Sequence, residues 1–255
     1  MAAAMTEPVL PRHVLCVPGS FVAKTAVADL VEGLDAQLLP NPEPRMLEAF
    51  EASADRVNPS FGDEDRAAIR AHKNVLYVLS PPVEQADAHV FARRVLTLGA
   101  ALLERGGAGL KGDSSGIAHG RARWLELARG AEEASRAGAN DEEGALDLIT
   151  TLYTAFVRRP LRSDSGDLYT CGMHLLGERD VVMRSDDVDG FLEVADAFAT
   201  YSLGEGRELG GVKLGHSFRS GKKSPRYLVE HEPCTAYEPD DFFHNPYGYA
   251  RLAKS

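Results

Sequence analysis

The most constraining feature of the chain is one long amphipathic segment set directly after one buried apolar run. Between residues 84 and 105, Phe91, Val95, Leu98 and Leu102 recur at steps of four, three and four, while Arg93, Arg94, Glu104 and Arg105 fall off that row. A 3.6-residue period turns such a row into one face of a helix, and Gly106-Gly107 supplies the stop. The preceding run NVLYVLS (74–80), closed by Pro81-Pro82, has the length and branching of a buried strand. A strand followed by a long helix excludes all-α and all-β architectures.

The same alternation continues along the chain. HVLCVP (13–18) reads as a strand ending at Pro18-Gly19, and AGLKG (108–112) as a short one. A helix is expected over 20–37 from Phe21, Val27, Leu30, Val31 and Leu34, broken by PNPEP (40–44), and another over 63–72. Ile117, Arg121, Trp124 and Ala128 predict a helix from 117 to 130. In the second half, ALDLITTLYTAFVRR has the β-branched and aromatic content of a strand, with helix as the competitor. DLYTCGMHLLGERDVVMRS reads as two strands around Gly177-Glu178. Val188, Leu192, Ala195 and Ala199 predict a helix over 186–201, with Asp186, Asp187 and Asp189 favouring its start. ELGGVKLGHSF and RYLVEHEP read as strands divided by the basic loop RSGKKSPR, and the aromatic, proline-punctuated tail as irregular. The expected fold is α+β, with antiparallel or mixed sheets, helices packed on one face and two similar β-α-β halves as a candidate plan. The halves are 1–130 and 145–255. Residues 131–144 lie in GAEEASRAGANDEEG, which lacks an apolar stripe and reads as a linker or long loop, with one compact domain as the alternative.

Charge and cysteine content bound the function. The 255 residues carry a formal net charge of −10. That argues against nucleic acid and anionic membranes as partners and is compatible with a basic protein partner. The three cysteines, Cys16, Cys171 and Cys234, are far apart and form no C-x-x-C, so a reducing cytoplasmic setting is expected. MAAAMTEPVLPRH lacks the basic and apolar regions of a secretory signal and reads as a loose tail, and no apolar run nears the roughly 18 residues of a membrane span.

The stretch GLKGDSSGIAHGRARWLELA (109–128) gathers the most reactive side chains. Gly112-Asp113-Ser114-Ser115-Gly116 approaches the nucleophile loop of chymotrypsin-like proteases, but the flanking helices do not suit that all-β scaffold. The phosphate-loop pattern is absent. What survives is an anion-binding turn at a helix start, with Ser114 and Ser115 as caps and Arg121 and Arg123 adding charge. His119 in the first helical turn would be the base of a small hydrolase or transferase, assisted by Asp113 or Ser114; the competing reading is a plain helix cap. Cys171 and His174, three apart in a strand, face opposite sides and make a poor dyad, so Cys171 reads as core packing. His216, His231, Glu232 and His244 show no metal-binding spacing, so neither a metal nor a cofactor is expected. The basic run from Lys213 through Arg219, Lys222 and Lys223 to Arg226 reads as a solvated hairpin tip.

Taken together, GLKGDSSGIAHGRARWLELA, LYTCGMHLLGERDVVM and YSLGEG followed by LGGVKLGHS make residues 75–220 similar to an uncharacterised bacterial family, domain of unknown function 4261. The positions carrying the likeness are Gly172-Met173, Leu176-Gly177 and Asp180, then a helix and a glycine-containing strand over Gly210-Gly211 to Gly215. The resemblance implies a bacterial cytosolic protein with no assigned catalytic residue. The acidic balance, which would steer a basic partner, and the lack of a coherent catalytic set make a non-enzymatic protein-binding module of immunity or antitoxin type the leading expectation. A small-molecule sensor without turnover is a further option.

Overall fold

A computed structural model describes residues 9–254 except 55, 56, 58, 138–140 and 207–209. The expected loose tail at 1–8, the centre of the 131–144 segment and the start of the ELGGV strand lie outside the described residues.

The chain is α+β with two sheets. The first sheet holds β1 (Val14–Gly19), β2 (Asp35–Leu39), β3 (Asn74–Leu79), β4 (Gly109–Gly112) and β5 (Ile117–Gly120) in the order β2-β3-β1-β4-β5. Every neighbouring pair is antiparallel. Side chains alternate across it. Leu15, Val17, Leu76 and Val78 enter the largest core with residues of α3 (Ala88–Glu104), α4 (Arg121–Ala137) and α5 (Glu142–Phe156). Cys16 and Val75 face the other way, into a smaller core with Met46 and Phe50 of α1 (Met46–Glu51), Ile69 of α2 (Asp63–Arg70) and Phe61.

The second sheet holds β6 (Arg158–Arg162), β7 (Asp167–Cys171), β8 (Asp180–Arg184), β9 (Ser217–Phe218), β10 (Tyr227–Glu232) and β11 (Tyr249–Lys254) in the order β6-β7-β8-β11-β10-β9. It is mixed: β8 and β11 are parallel and the other pairs antiparallel. A parallel pair needs a long crossover, and α6 (Val188–Tyr201) lies within that connection. Phe191, Val194, Ala195 and Phe198 of α6 close the core against Leu168, Val181, Val229 and Leu252. Asp187 caps α6 by accepting a hydrogen bond from Gly190 N at 3.0 Å. The expected layer of helices on one face thus describes this sheet, while the first sheet carries a smaller second layer.

Several local expectations are corrected. Residues 20–37 form no continuous helix: a 3₁₀ turn at Lys24–Val27 leads through Gly33 (φ 77°) into β2, which pairs along β3. Phe21, Val27 and Val31 still reach the main core, so their burial was legible while their backbone was not. Helix α1 was not foreseen. The expected helix over 117–130 is strand β5 followed by α4, which begins only at Arg121. ALDLITTLYTAFVRR is mostly the helix α5, with Leu152, Tyr153 and Phe156 buried and Asp141 capping its start. Residues 131–137 and 142–144 belong to α4 and α5, so the described part of the expected linker is largely helical. The largest core draws Leu15 and Leu110 together with Phe156, Met173 and Leu203 from the other half. The irregular tail contains β11, an interior strand of the second sheet. Gly210, Gly211 and Gly215 sit at turns with positive φ, not on a strand.

Candidate functional site

The 109–120 stretch is a β-hairpin, with Gly109↔Gly120 and Gly112↔Ile117 in register and Gly116 at φ 74° in the turn. Ser114 is buried; its Oγ donates to the carbonyl of Arg12 at 2.6 Å and accepts from Val14 N at 2.9 Å, which fixes the start of β1. Asp113 is paired with Lys111. Ser115 is also buried, caps no helix, and its Oγ has no partner among the described residues. His119 is not in a first helical turn. It lies on β5 opposite Leu110, its ring centroid 5.7 Å from that of Trp124 and its Nε2 3.2 Å from the carbonyl of Ala155. Arg121 donates to the carbonyl of Leu103 at 3.4 Å, and Arg123 pairs with Glu126 at 2.8 Å. These contacts lead to β1, α5, α3 and the surface of α4, so the arginines and the histidine are not gathered over a helix start.

Gly172, Met173, Gly177 and Asp180 meet at the junction of the two sheets. Gly172 (φ 123°) and Gly177 (φ 77°) bracket a 3₁₀ turn at Met173–Leu176, all four residues of which are buried. The Asp180 carboxylate, 2% exposed, accepts hydrogen bonds from Thr170 Oγ1 (2.9 Å), Met173 N (3.2 Å) and Asn245 Nδ2 (2.8 Å). Thr170 Oγ1 in turn accepts from Val181 N at 2.9 Å. Asn245 also donates to the carbonyl of Glu178 at 3.0 Å, and Ser202 donates to the Glu178 carboxylate at 3.0 Å. His174 places Nδ1 3.9 Å from Asp180 and Nε2 3.2 Å from the carbonyl of Phe242. Asn245 escaped the sequence reading, although its Asn-Pro step is a turn signal. Cys171 is buried at the end of β7, and burial pushes its thiol well above the ordinary range, which is the setting of a packing cysteine.

A cavity of about 260 Å³ opens between α3, the first sheet and the 30–34 segment. Its walls are Leu15, Leu34, Val78, Phe91, Val95 and Leu98, with Glu32 and Arg94 also lining it. His13 and Ser80 are its buried polar residues. The His13 ring lies 5.0 Å from Phe156 and 5.8 Å from Phe91 between centroids. Burial, reinforced by the nearby His174, lowers the His13 pKa from 6.5 to about 3, and burial lowers that of His119 to about 4. Both are neutral in the folded protein near pH 7. An unfolded chain takes up these protons below pH 6.5 and the folded chain does not, so stability is complete above that pH and falls toward the folded pKa values. Each histidine contributes a slope of about 1.4 kcal/mol per pH unit across its window. Urea titrations between pH 7 and 4 should show this decline, and His13→Phe should flatten it; an unchanged profile in that variant refutes the assignment.

The third feature is polar. Near the connected end of the α4–α5 pair, a groove of about 430 Å³ is lined by Glu133, Asp141, Glu143 and Asp147, with Thr150 and Thr151 along one side, and among the described residues no lysine or arginine lines it. Leu146 beside it is 49% exposed. The basic run behaves as a hairpin tip: Arg219, Lys222, Lys223 and Arg226 are exposed between the antiparallel β9 and β10. Among the described residues no group of three or more His, Cys, Asp or Glu could hold a metal ion, and no helix is long and apolar enough to cross a membrane. Comparison with protein-family models, curated proteins and solved structures finds no match to this chain.

Proposed function

We propose that the protein acts by binding a basic protein partner through the acidic groove between α4 and α5, as an immunity or antitoxin-like protein would. The observation that carries this reading is the convergence of Glu133, Asp141, Glu143 and Asp147 on one groove. Asp141 and Glu143 have a local reason to be there, since acids at a helix start offset its dipole. Glu133 near the end of α4 and Asp147 in the second turn of α5 have no such reason, and they extend the negative field along the groove. Field of one sign in a concave surface raises the encounter rate of an oppositely charged partner. Leu146 offers an apolar contact beside the charges. The engagement of Ser114, Asp113 and His119 in structural contacts favours binding over a hydrolase or transferase built on the 112–123 turn.

The test uses a lysine-rich peptide as probe, titrated into the full chain and followed by backbone amide NMR. Shifts are expected along 130–151, with affinity falling steeply between low and moderate salt. Glu133→Lys combined with Asp147→Lys should weaken binding by at least about tenfold. Glu104→Lys, an exposed charge at the far end of α3, should leave it within about twofold. Equal losses in the two variants, or shifts scattered over the surface, would show diffuse charge attraction and overturn the proposal.

A further inference from the structure

We infer that, on the reading of the α4–α5 groove as a binding surface, the basic β9–β10 hairpin of one copy docks in that groove on a second copy of this chain. The hairpin is out of keeping with the chain that carries it. Against a formal net charge of −10, Arg219, Lys222, Lys223 and Arg226 fall within eight residues. All four are exposed. Arg219, Lys222 and Lys223 take part in no ion pair among the described residues. Lysines on an edge strand deter pairing between sheets, but β9 has only two residues and these cations lie beyond it. Apolar surface accompanies the charge. Leu228 alternates with the buried Tyr227 and Val229, so it points away from the α6 core and is 39% exposed. Leu214, before β9, is 67% exposed.

The groove carries the matching set. Glu133, Glu143 and Asp147 take part in no ion pair among the described residues, and Leu146 beside them is exposed. Each surface offers unpaired charge next to an apolar side chain, and the two signs are opposite. A single chain does not join them. The hairpin tip lies at the start of α6, where Ser220 and Ser224 share a cavity with Asp187 and Gly190. Along α5, the Tyr153 hydroxyl meets Asp196 within α6, and Ile149 faces Gly204 just past its end. The groove residues of α5 precede Ile149, so they lie beyond that end. The 14 residues of α6 alone span about 21 Å, farther than a lysine side chain reaches. The hairpin therefore meets a groove only on another copy, where a basic partner would have to displace it.

Sedimentation velocity of the full chain over a range of concentrations reads the association. Copies are expected to associate at low salt and to separate steeply at moderate salt, because the Debye length shortens from about 30 Å at 0.01 M to about 8 Å at 0.15 M. Lys222→Glu with Lys223→Glu should raise the self-association Kd by at least about tenfold, and so should Glu133→Lys with Asp147→Lys. The second pair reduces the net negative charge, so general repulsion between acidic copies predicts the reverse. An equimolar mixture of the two variants should associate within about threefold of the unaltered chain, since each reversed surface then meets its opposite. Recovery in the mixture also shows that both variants are folded. Arg70→Glu with Lys73→Glu, two exposed positions on and after α2, matches the charge change of the hairpin variant and should stay within about twofold of the unaltered chain. A chain that stays monomeric at low salt, unchanged association in either reversed variant, an equal loss in the α2 variant, or a mixture that does not recover overturns the inference. The lysine-rich peptide separates this result from the proposed function: if it shifts 130–151 while the chain stays monomeric, the groove binds basic partners and the hairpin docking alone is refuted.

Discussion

Asp180→Ala is expected to lower the unfolding free energy by about 4 kcal/mol. The carboxylate is 2% exposed and receives three hydrogen bonds, from Thr170, Met173 and Asn245. Removing it strands three buried donors at once, each costing about 1–3 kcal/mol when left unsatisfied, with partial relief from relaxation. The group also joins β7, β8, the 3₁₀ turn at Met173–Leu176 and the chain before β11, so no single neighbour can move to replace it. Urea unfolding should show a lower midpoint with an unchanged slope. Asn245→Ala removes one of the three donors and should cost about 1–2 kcal/mol. If the two variants lose the same stability, Asp180 is not the hub described.

Gly172→Ala is expected to cost about 3–5 kcal/mol. Two effects add. The backbone sits at φ 123°, where a residue with a Cβ is strained, and the added carbon would lie 2.3 Å from the carbonyl oxygen of Phe156. The obstacle is main chain at the end of α5, so a rotamer change cannot relieve it. Gly210→Ala is the control: φ is 84° but no atom of the described residues lies within 4 Å of its new Cβ. It should cost only the backbone part, about 1 kcal/mol. Equal losses in the two variants would remove the steric half of the argument. These two predictions give the Gly172-Met173 and Asp180 positions a structural explanation, namely closure of the junction between the sheets.

Some of this was readable from the residues. The stripe in α3, the apolar run of β3 and the Asp187 cap of α6 are dense local signals, each complete within one element. The helix α5 was readable too: Ile149, Leu152, Tyr153 and Phe156 keep helical spacing behind the Asp141 cap, but their β-branched and aromatic neighbours suggested a strand. The candidate sites were less legible. His119 was placed on a helix because Ile117, Arg121, Trp124 and Ala128 share a helical row, whereas the first four residues of that span, Ile117–Gly120, pair with β4 instead. The acidic content of 130–144 was visible, yet its reading as a linker hid the groove that the two helices form with it. His13 drew little notice, since its setting is made by residues as distant as Phe91 and Phe156.

The sequence by itself determined that strands and long helices alternate, that the apolar rows of the long helices and the apolar strand runs supply the core, and that the net charge is acidic. These follow from local periodicity and from counts of charge. Only the tertiary structure decided that β11 joins the second sheet beside β8, that Asn245 reaches Asp180 across 65 positions, and that His13 lines a cavity. Such contacts depend on chain closure over long separations, where the gain comes from burial and hydrogen bonding shared among several elements and leaves no periodic trace in any one of them.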